Sequence, residues 1–233
     1  MLRKLENSNM GRSDLGWLKS IFHFSFAEYY NSKNINFGVL RVINDDLIEP
    51  DKGFDTHPHR DMEIISYVIN GELTHGDSMG NKGTITRGHV QYMSAGTGVY
   101  HSEHNFGHET TRLLQIWIIP DEKGHTPSYG DYEFEWEMRK NRWLHIVSSK
   151  DGDAPIKINQ DVNFYVLELD EKNKIDFSVQ KGRQAYLVQI EGSSQIKDNI
   201  LNARDAMEIT EEDILITANE NSHLLIIEME KEK

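Results

Sequence analysis

The chain of 233 residues could form one large domain or two small ones, and its 27% charged and 37% hydrophobic residues suit a folded globular protein rather than a disordered one. The formal net charge of −13 argues against binding nucleic acid or docking on an anionic membrane, since both need clustered Lys and Arg. A membrane helix needs about 20 apolar residues, and no apolar run of the chain approaches that length. The polar first residues do not resemble a signal peptide. Because the chain also has no Cys, we expect a cytoplasmic protein.

The first half of the chain is predicted to be all-β. Its residues 16–30 are rich in aromatic side chains and form either a strand or an irregular packed segment. Short β-branched and apolar runs then alternate with turn residues, which is the pattern of a sandwich or barrel. Residues 44–46 (Asn-Asp-Asp) are interpreted as a turn, and Asn70-Gly71 is the strongest hairpin signal. The predicted strands are 37–43, 62–69, 84–86, 90–93 and 113–119.

The second half partly repeats this pattern. Residues 185–192 echo 66–71, residues 214–217 echo 90–93, and a last strand is predicted at 224–228. An internal duplication is therefore a plausible hypothesis.

The link between the two halves is placed near the end of residues 121–140, which are polar, aromatic and irregular. The predicted domains are accordingly residues 1–138 and residues 139–233. A monomer is the working expectation, and the sequence leaves the oligomeric state open.

Two short segments carry most of the chemical information: His57-Pro58-His59 and, about forty residues on, His101-Ser102-Glu103. Seven of the 11 His lie between residues 57 and 108, which marks the first half as the chemical one. Each segment has two metal-competent side chains separated by one residue, so a β-strand would put both on one face. Two such strands side by side would aim three imidazoles and one carboxylate at a single point. The spacing predicts a mononuclear metal site inside a β-barrel.

The sequence around both segments holds further motif residues. Glu63 and Gly71 follow His57 and His59 at the spacing of the first cupin motif, and Gly88, His101 and Asn105 resemble the second. More narrowly, the runs FDTHPHRDMEIISYVINGELTHGDSMGNKG, GHVQYMSAGTGVYHSEHN and LLQIWIIP resemble the pirin family of the cupin superfamily. The resemblance extends from about residue 16 to residue 120 and is weak beyond it.

The resemblance implies a bicupin, with two double-stranded β-helix barrels of jelly-roll type. It also implies His57, His59, His101 and Glu103 as the ligands of one metal in the first barrel. In most cupins the glutamate at the position of Glu63 is the ligand instead, and otherwise Glu63 would orient an imidazole. The second barrel is expected to be degenerate and without a metal, since aligning its hairpin glycine with that of the first barrel puts Ser178 and Gln180 in place of the first two His.

Three imidazoles and one carboxylate suit a divalent transition metal. Iron is the first choice, with manganese, nickel, cobalt, copper and zinc as alternatives. Among pirin-like proteins the chain looks most like bacterial ones with quercetin 2,3-dioxygenase activity, which implies a flavonol and dioxygen as substrates, release of carbon monoxide, and Glu103 as the catalytic base. Two other functions stay open: a non-enzymatic protein whose metal state governs binding of a partner, and a cupin enzyme acting on another small aromatic substrate.

Two further interpretations concern residues near these motifs. His75 follows the Asn70-Gly71 hairpin and is assigned to the surface or the hairpin rather than to the cavity. The aromatic residues of the N-terminal segment are assigned to core packing rather than to the wall of a flavonoid pocket; they are Trp17, Phe22, Phe24 and Phe26.

Overall fold

The computed structural model of the protein describes residues 1–231 and consists mostly of β-strands. In the first half the strands are β1 Leu2–Leu5, β2 Gly11–Asp14, β3 Leu18–Phe22, β4 Leu40–Ile48, β5 Lys52–His59, β6 Glu63–Asn70, β7 Glu72–Asp77, β8 Lys82–Thr86, β9 Val90–Ser94, β10 Val99–Asn105, β11 Thr111–Ile118 and β12 Ser128–Tyr132. In the second half they are β13 Leu144–Ser149, β14 Ile156–Ile158, β15 Val162–Leu169, β16 Lys174–Phe177, β17 Arg183–Glu191, β18 Ser193–Ile196, β19 Asn199–Asn202, β20 Ala206–Thr210, β21 Ile214–Ala218 and β22 Ser222–Glu230.

The helical content of the described residues is confined to two short 3-10 turns, Asn7–Asn9 and Trp136–Arg139. The predicted all-β class is therefore confirmed. No helix within residues 1–231 is long and apolar enough to cross a membrane.

The chain divides into two compact units. The N-terminal unit comprises Gly11–Phe134 and Ile158–Gln160, and the C-terminal unit comprises Met1–Met10, Glu135–Lys157 and Asp161–Lys233. The first residues group with the C-terminal unit because β1 pairs with β20. A division into domains 1–138 and 139–233 stays a prediction. The two compact units differ from it mainly because residues 1–10 belong to the C-terminal unit and residues 158–160 to the N-terminal unit.

In the N-terminal unit a large sheet and a small sheet enclose the core. The large sheet has the order β12-β9-β6-β11-β4-β3-β2, and the small sheet has the order β5-β10-β7-β8. Val68 and Leu113 of the large sheet share one buried apolar cluster with Leu73 and Ile85 of the small sheet. The strands alternate inward and outward side chains, so the inner faces of both sheets line the interior of one barrel.

The C-terminal unit repeats the same topology. Its sheets have the orders β1-β20-β17-β22-β15-β13-β14 and β16-β21-β18-β19. Every strand from β4 to β11 has a counterpart eleven strands later, with the same neighbours within this set, so the hypothesis of an internal duplication is supported by strand order. The counterpart of β9 is β20 and not β21, so the predicted echo of residues 90–93 in residues 214–217 is wrong. The hairpin glycines also correspond, since Gly71 and Gly192 both have a positive φ, of 75° and 74°.

The prediction of a turn at Asn44-Asp45-Asp46 is wrong, because these residues lie in the middle of β4. The strand continues because β3 pairs with it on one side and β11 on the other, and this pairing outweighs the turn propensity of three polar residues. All three side chains are buried. Asp45 is stabilised there by two hydrogen bonds from the Arg112 guanidinium, of 2.9 and 2.7 Å.

Replacing Gly71 by Ala should lower the free energy of unfolding by more than the same change at Gly16. Both residues have a positive φ, 75° and 83°, which costs about 1–2 kcal/mol for a residue with a Cβ. At Gly71 the new Cβ would also lie 2.9 Å from the Thr111 Cα, whereas nothing lies within 4 Å at Gly16. Urea unfolding of both variants measures the difference. Equal losses would contradict the close approach of β11 to this turn.

Candidate metal centre

Strands β5 and β10 are antiparallel neighbours, and their register decides which histidines meet. His101 on β10 lies directly opposite His57 on β5, and Tyr100 lies opposite Pro58. The proline is tolerated because β5 is the edge strand of the small sheet, so its missing N–H costs no ladder hydrogen bond. His59, two residues after His57, points to the same side of β5.

The three imidazoles converge as the sequence spacing predicts. The ring centroids of His57 and His101 are 4.5 Å apart, and the His59 ring is 4.8 Å from each of them. One nitrogen of each ring lies within 4.8 Å of one nitrogen of the others. The two Nε2 atoms of His57 and His101 are 3.1 Å apart. The cluster is compact enough to hold one metal ion.

Glu103 lies beside this cluster and is 2% exposed. It belongs to a second group of potential ligands with His101 and His75, whose ligand atoms also lie within 4.8 Å of one another. Its carboxylate accepts three hydrogen bonds from neutral groups. The donors are Ser66 Oγ at 2.9 Å, Gln91 Nε2 at 3.0 Å and Gln115 Nε2 at 2.6 Å. The structure thus places Glu103 next to His101, in a fixed orientation.

The hydrogen bonds of His57 assign its tautomer. Nδ1 lies 2.7 Å from the carbonyl oxygen of Asp55, which can only accept, so Nδ1 carries the proton. The Nε2 atom of His57 therefore presents a lone pair toward the other imidazoles. This is the arrangement found in metal-binding histidines, where the second nitrogen is held by a carbonyl or carboxylate.

His101 is oriented through His75. The His75 Nε2 donates to Asp77 Oδ2 at 3.1 Å, and its Nδ1 accepts from the Gln91 amide at 3.3 Å. The His101 Nδ1 lies 3.4 Å from the same His75 Nδ1 and is therefore the donor of that pair. The Nε2 of His101 then faces the Nε2 of His57 with lone pair toward lone pair. A cation between them turns this repulsion into attraction, so the donor set fits a metal.

Burial keeps two of the imidazoles neutral at neutral pH. Burial, together with a smaller contribution from the neighbouring imidazoles, lowers the pKa of His59 to about 4 and that of His101 to about 3. Only a neutral imidazole has a lone pair for a metal, so both rings are in their binding form at pH 7.

In the second group of potential ligands, His75 and Glu103 are hydrogen-bonded to the same amide group. The amide nitrogen of Gln91 lies 3.3 Å from His75 Nδ1 and 3.0 Å from Glu103 Oε1, so it occupies the space between them. We therefore interpret this second group as a polar network that orients the three-imidazole cluster.

His75 is fully buried, so its assignment to the surface or the hairpin is wrong. Its ring stacks on Tyr129 with centroids 4.6 Å apart. Sequence reasoning also missed Ser66, Gln91 and Gln115. A signal was present, because each of these is a polar residue inside an otherwise apolar strand, and a buried polar side chain needs a partner.

Glu63 is excluded from the cluster by its own hydrogen bonds. Its carboxylate accepts from Tyr92 Oη at 2.7 Å, Ser94 Oγ at 2.6 Å and the Asn159 backbone N–H at 3.0 Å. The side chain of the next residue, Ile64, lines the cavity beside the histidines, so that of Glu63 points away from it. The alternative role of Glu63 as a ligand or as an imidazole-orienting group is therefore wrong.

The cluster opens into a cavity of 320 Å³, which lies at the lower end of the range of small-molecule sites. Its wall is mainly apolar and includes two of the residues assigned to core packing, Phe22 and Phe26. Phe22 is also buried in the core, so the assignment is wrong for Phe26 alone. Trp17 instead packs edge-on against Phe54, and Phe24 is buried in the core. Polar wall residues are Ser13, Ser20, Asp46, His57, His59, His101, Glu103 and Gln115.

Two barrels of the same topology, with a histidine cluster on the inner face of the small sheet of the first, define a bicupin. The family model Pirin matches residues 4–118, and the model of the quercetinase C-terminal cupin domain matches residues 145–229. The chain belongs to the pirin family.

Relatives match the chain along nearly its whole length. A pirin-like protein of Caulobacter vibrioides is 42% identical, over 98% of this chain and 99% of the relative. The quercetin 2,3-dioxygenase of Escherichia coli K12 is 39% identical, over 94% of both chains. The crystal structure of the bacterial pirin YhhW from Escherichia coli, in complex with nickel(II), has a TM-score of 0.93 and 36% identity and covers 100% of both chains.

Replacing His57 by Ala should abolish metal binding and leave the barrel folded. The change removes one of three converging imidazoles, and His57 is only partly buried, on an edge strand. Elemental analysis measures the metal, and circular dichroism measures the fold. His104→Ala is the matched control, because His104 lies on β10 but stacks on Phe106 outside the cluster. Metal retained by the His57 variant would contradict the assignment.

Replacing His75 by Leu should weaken metal binding about 10- to 100-fold, the usual effect of losing a group that orients a ligand. The change removes the acceptor of the His101 Nδ1 proton. Competition with a chromogenic chelator measures the affinity. His75→Gln keeps a polar partner at this place and should recover part of the loss. An unchanged affinity in the Leu variant would show that His101 needs no such support.

Proposed function

We propose that this protein is a metal-dependent dioxygenase that cleaves a flavonol such as quercetin with dioxygen and releases carbon monoxide. The observation that carries the proposal is the compact three-imidazole cluster, with Glu103 beside it, on the wall of an aromatic-lined cavity of 320 Å³. The relative of this chain named quercetin 2,3-dioxygenase supports the substrate class.

The proposed ligand set is His57, His59, His101 and Glu103. The proposed metal is iron, since imidazole and carboxylate donors with open positions are typical of iron centres that use dioxygen. The related bacterial pirin crystallised with nickel(II) makes nickel the nearest alternative, ahead of manganese, cobalt, copper and zinc. When bound, the metal would act as a Lewis acid that makes the flavonol hydroxyl more acidic.

The residues of the chain would have two tasks in this reaction. Glu103 takes the proton of the flavonol 3-hydroxyl, and the three hydrogen-bond donors on its carboxylate hold it in place for that transfer. Phe26 and Trp117, whose rings meet edge-on at 5.4 Å, pack against the substrate rings and exclude water. Both atoms of dioxygen enter the organic product, and one ring carbon leaves as carbon monoxide.

The purified protein with its metal, supplied with quercetin in air, should consume quercetin and dioxygen and release carbon monoxide in equal amounts. Elemental analysis of the same sample identifies the metal. Quercetin is followed by absorbance, dioxygen with an electrode and carbon monoxide by gas chromatography. A fully metallated protein without turnover on any flavonol would contradict the proposal and favour a metal-dependent binding protein.

Replacing Glu103 by Gln should lower kcat about 10²- to 10⁴-fold, the usual contribution of a general base, and lower the metal content much less. The amide keeps an oxygen donor but cannot take the proton. Glu63→Gln is the matched control, since Glu63 is a buried acid of the same unit outside the cavity. It should lower the stability but keep the turnover of the folded, metallated protein. Equal losses of metal and turnover in the Glu103 variant would restrict that residue to ligation.

A further inference from the structure

Asp46 places a second carboxyl group on the wall of the same cavity. It lies in β4, is 3% exposed, and lines the cavity together with the aromatic residues. The Ser20 hydroxyl on the neighbouring β3 hydrogen-bonds its carboxyl group. The second oxygen, Oδ1, has no hydrogen-bond partner among residues 1–231. A buried acceptor thus lies on the wall of the binding site, with one oxygen that no described protein group bonds.

An acid at this position is costly for the fold. Burial raises the pKa of Asp46 to about 7, the Ser20 hydroxyl opposes the rise, and the negative charges of Asp45 and Glu103 add to it. The next residue in the strand shows what a purely structural acid looks like, because both oxygens of Asp45 are bound by Arg112. Within the described residues Asp46 has no such cation, and a Leu would fill the same space without this cost. A polar group with an unused oxygen in an apolar cavity indicates ligand recognition.

Most of the other polar groups of the cavity are already engaged. Glu103 and Gln115 are hydrogen-bonded to each other, and the three imidazoles form the metal cluster. Asp46 therefore offers an acceptor at a place of its own within the cavity. The rest of the wall is apolar and aromatic, including Phe22, Phe54 and Trp117, and favours a flat aromatic ligand.

We propose that Asp46 is a specificity-determining residue, which accepts a hydrogen bond at Oδ1 from a hydroxyl group of the aromatic substrate other than the hydroxyl that meets the metal. The inference rests on the proposed function in one respect, the hydroxylated aromatic class of the ligand. It adds that the site selects for a second hydroxyl on that ligand. Ser20 orients the carboxyl group for this contact.

The test uses binding to the metal-loaded protein without dioxygen, so that no turnover intervenes. Three flavonols serve as probes: 3-hydroxyflavone, galangin with additional hydroxyls on the fused ring, and quercetin with further hydroxyls on the pendant ring. Quenching of tryptophan fluorescence measures each affinity. Asp46→Leu should lose about tenfold or more in affinity for the probes that carry the recognised hydroxyl, the usual effect of a hydrogen bond to a carboxyl group, and should lose the preference for them over 3-hydroxyflavone.

Two further variants separate recognition from folding. Asp46→Asn keeps an acceptor oxygen and should recover part of the preference. Asp45→Asn changes the same charge on the same strand outside the cavity, so it should lower the Tm but keep the ratio of affinities.

The outcomes distinguish this inference from the proposed function. An unchanged preference in Asp46→Leu overturns the inference, even where the wild-type protein turns over quercetin. A lost preference in that variant supports it, even where no flavonol is cleaved. If none of the three probes binds the wild-type protein, the inference falls together with the flavonol substrate.

Discussion

Antiparallel pairing of β5 with β10 places His101 opposite His57, and the function of the N-terminal barrel depends on that register. Side chains alternate along a strand, so a slip by one residue would turn both histidines of β5 away from the interior. On the other side of β10, β7 brings His75 opposite Glu103. Three adjacent strands thus deliver the metal-competent groups and their support to one face. No loop is needed to position them, which makes the site rigid.

Polar side chains buried inside the N-terminal barrel support the histidine cluster. Ser66, Gln91 and Gln115 all donate to Glu103, and Gln91 also donates to His75. Each would be costly in the core alone, but their hydrogen bonds offset part of that cost and restrict the orientation of the carboxylate and the imidazoles. The Gln91 Oε1 is left without a hydrogen-bond partner among the described residues. Preorganisation of this kind matters for a metal centre, because ligands that are already oriented lose little freedom on binding.

The C-terminal unit shows that the fold alone does not create a cluster of metal ligands. It has the same strand order, and its Phe177 pairs with Ile214 as part of a matching small sheet. The positions just beyond this pair correspond to the opposed histidines of β5 and β10 in the N-terminal unit. In the C-terminal unit they hold Ser178, which donates a hydrogen bond to Asp213. Both groups of potential metal ligands found among residues 1–231 lie in the N-terminal unit. The barrel is a scaffold, and the chemistry depends on a few inward positions.

The all-β class, the existence of a repeat and the convergence of His57, His59 and His101 could be predicted from the chain, because they follow from local periodicity and turn residues. The environment of Glu103, the burial of His75 and the inward position of Asp46 were decided only by tertiary structure. Each depends on strands that are distant in the chain but adjacent in a sheet, such as β4 between β3 and β11. Local propensity even predicted a turn at Asn44-Asp45-Asp46. Backbone pairing on both sides overrode it, and in doing so placed a carboxyl group in the cavity.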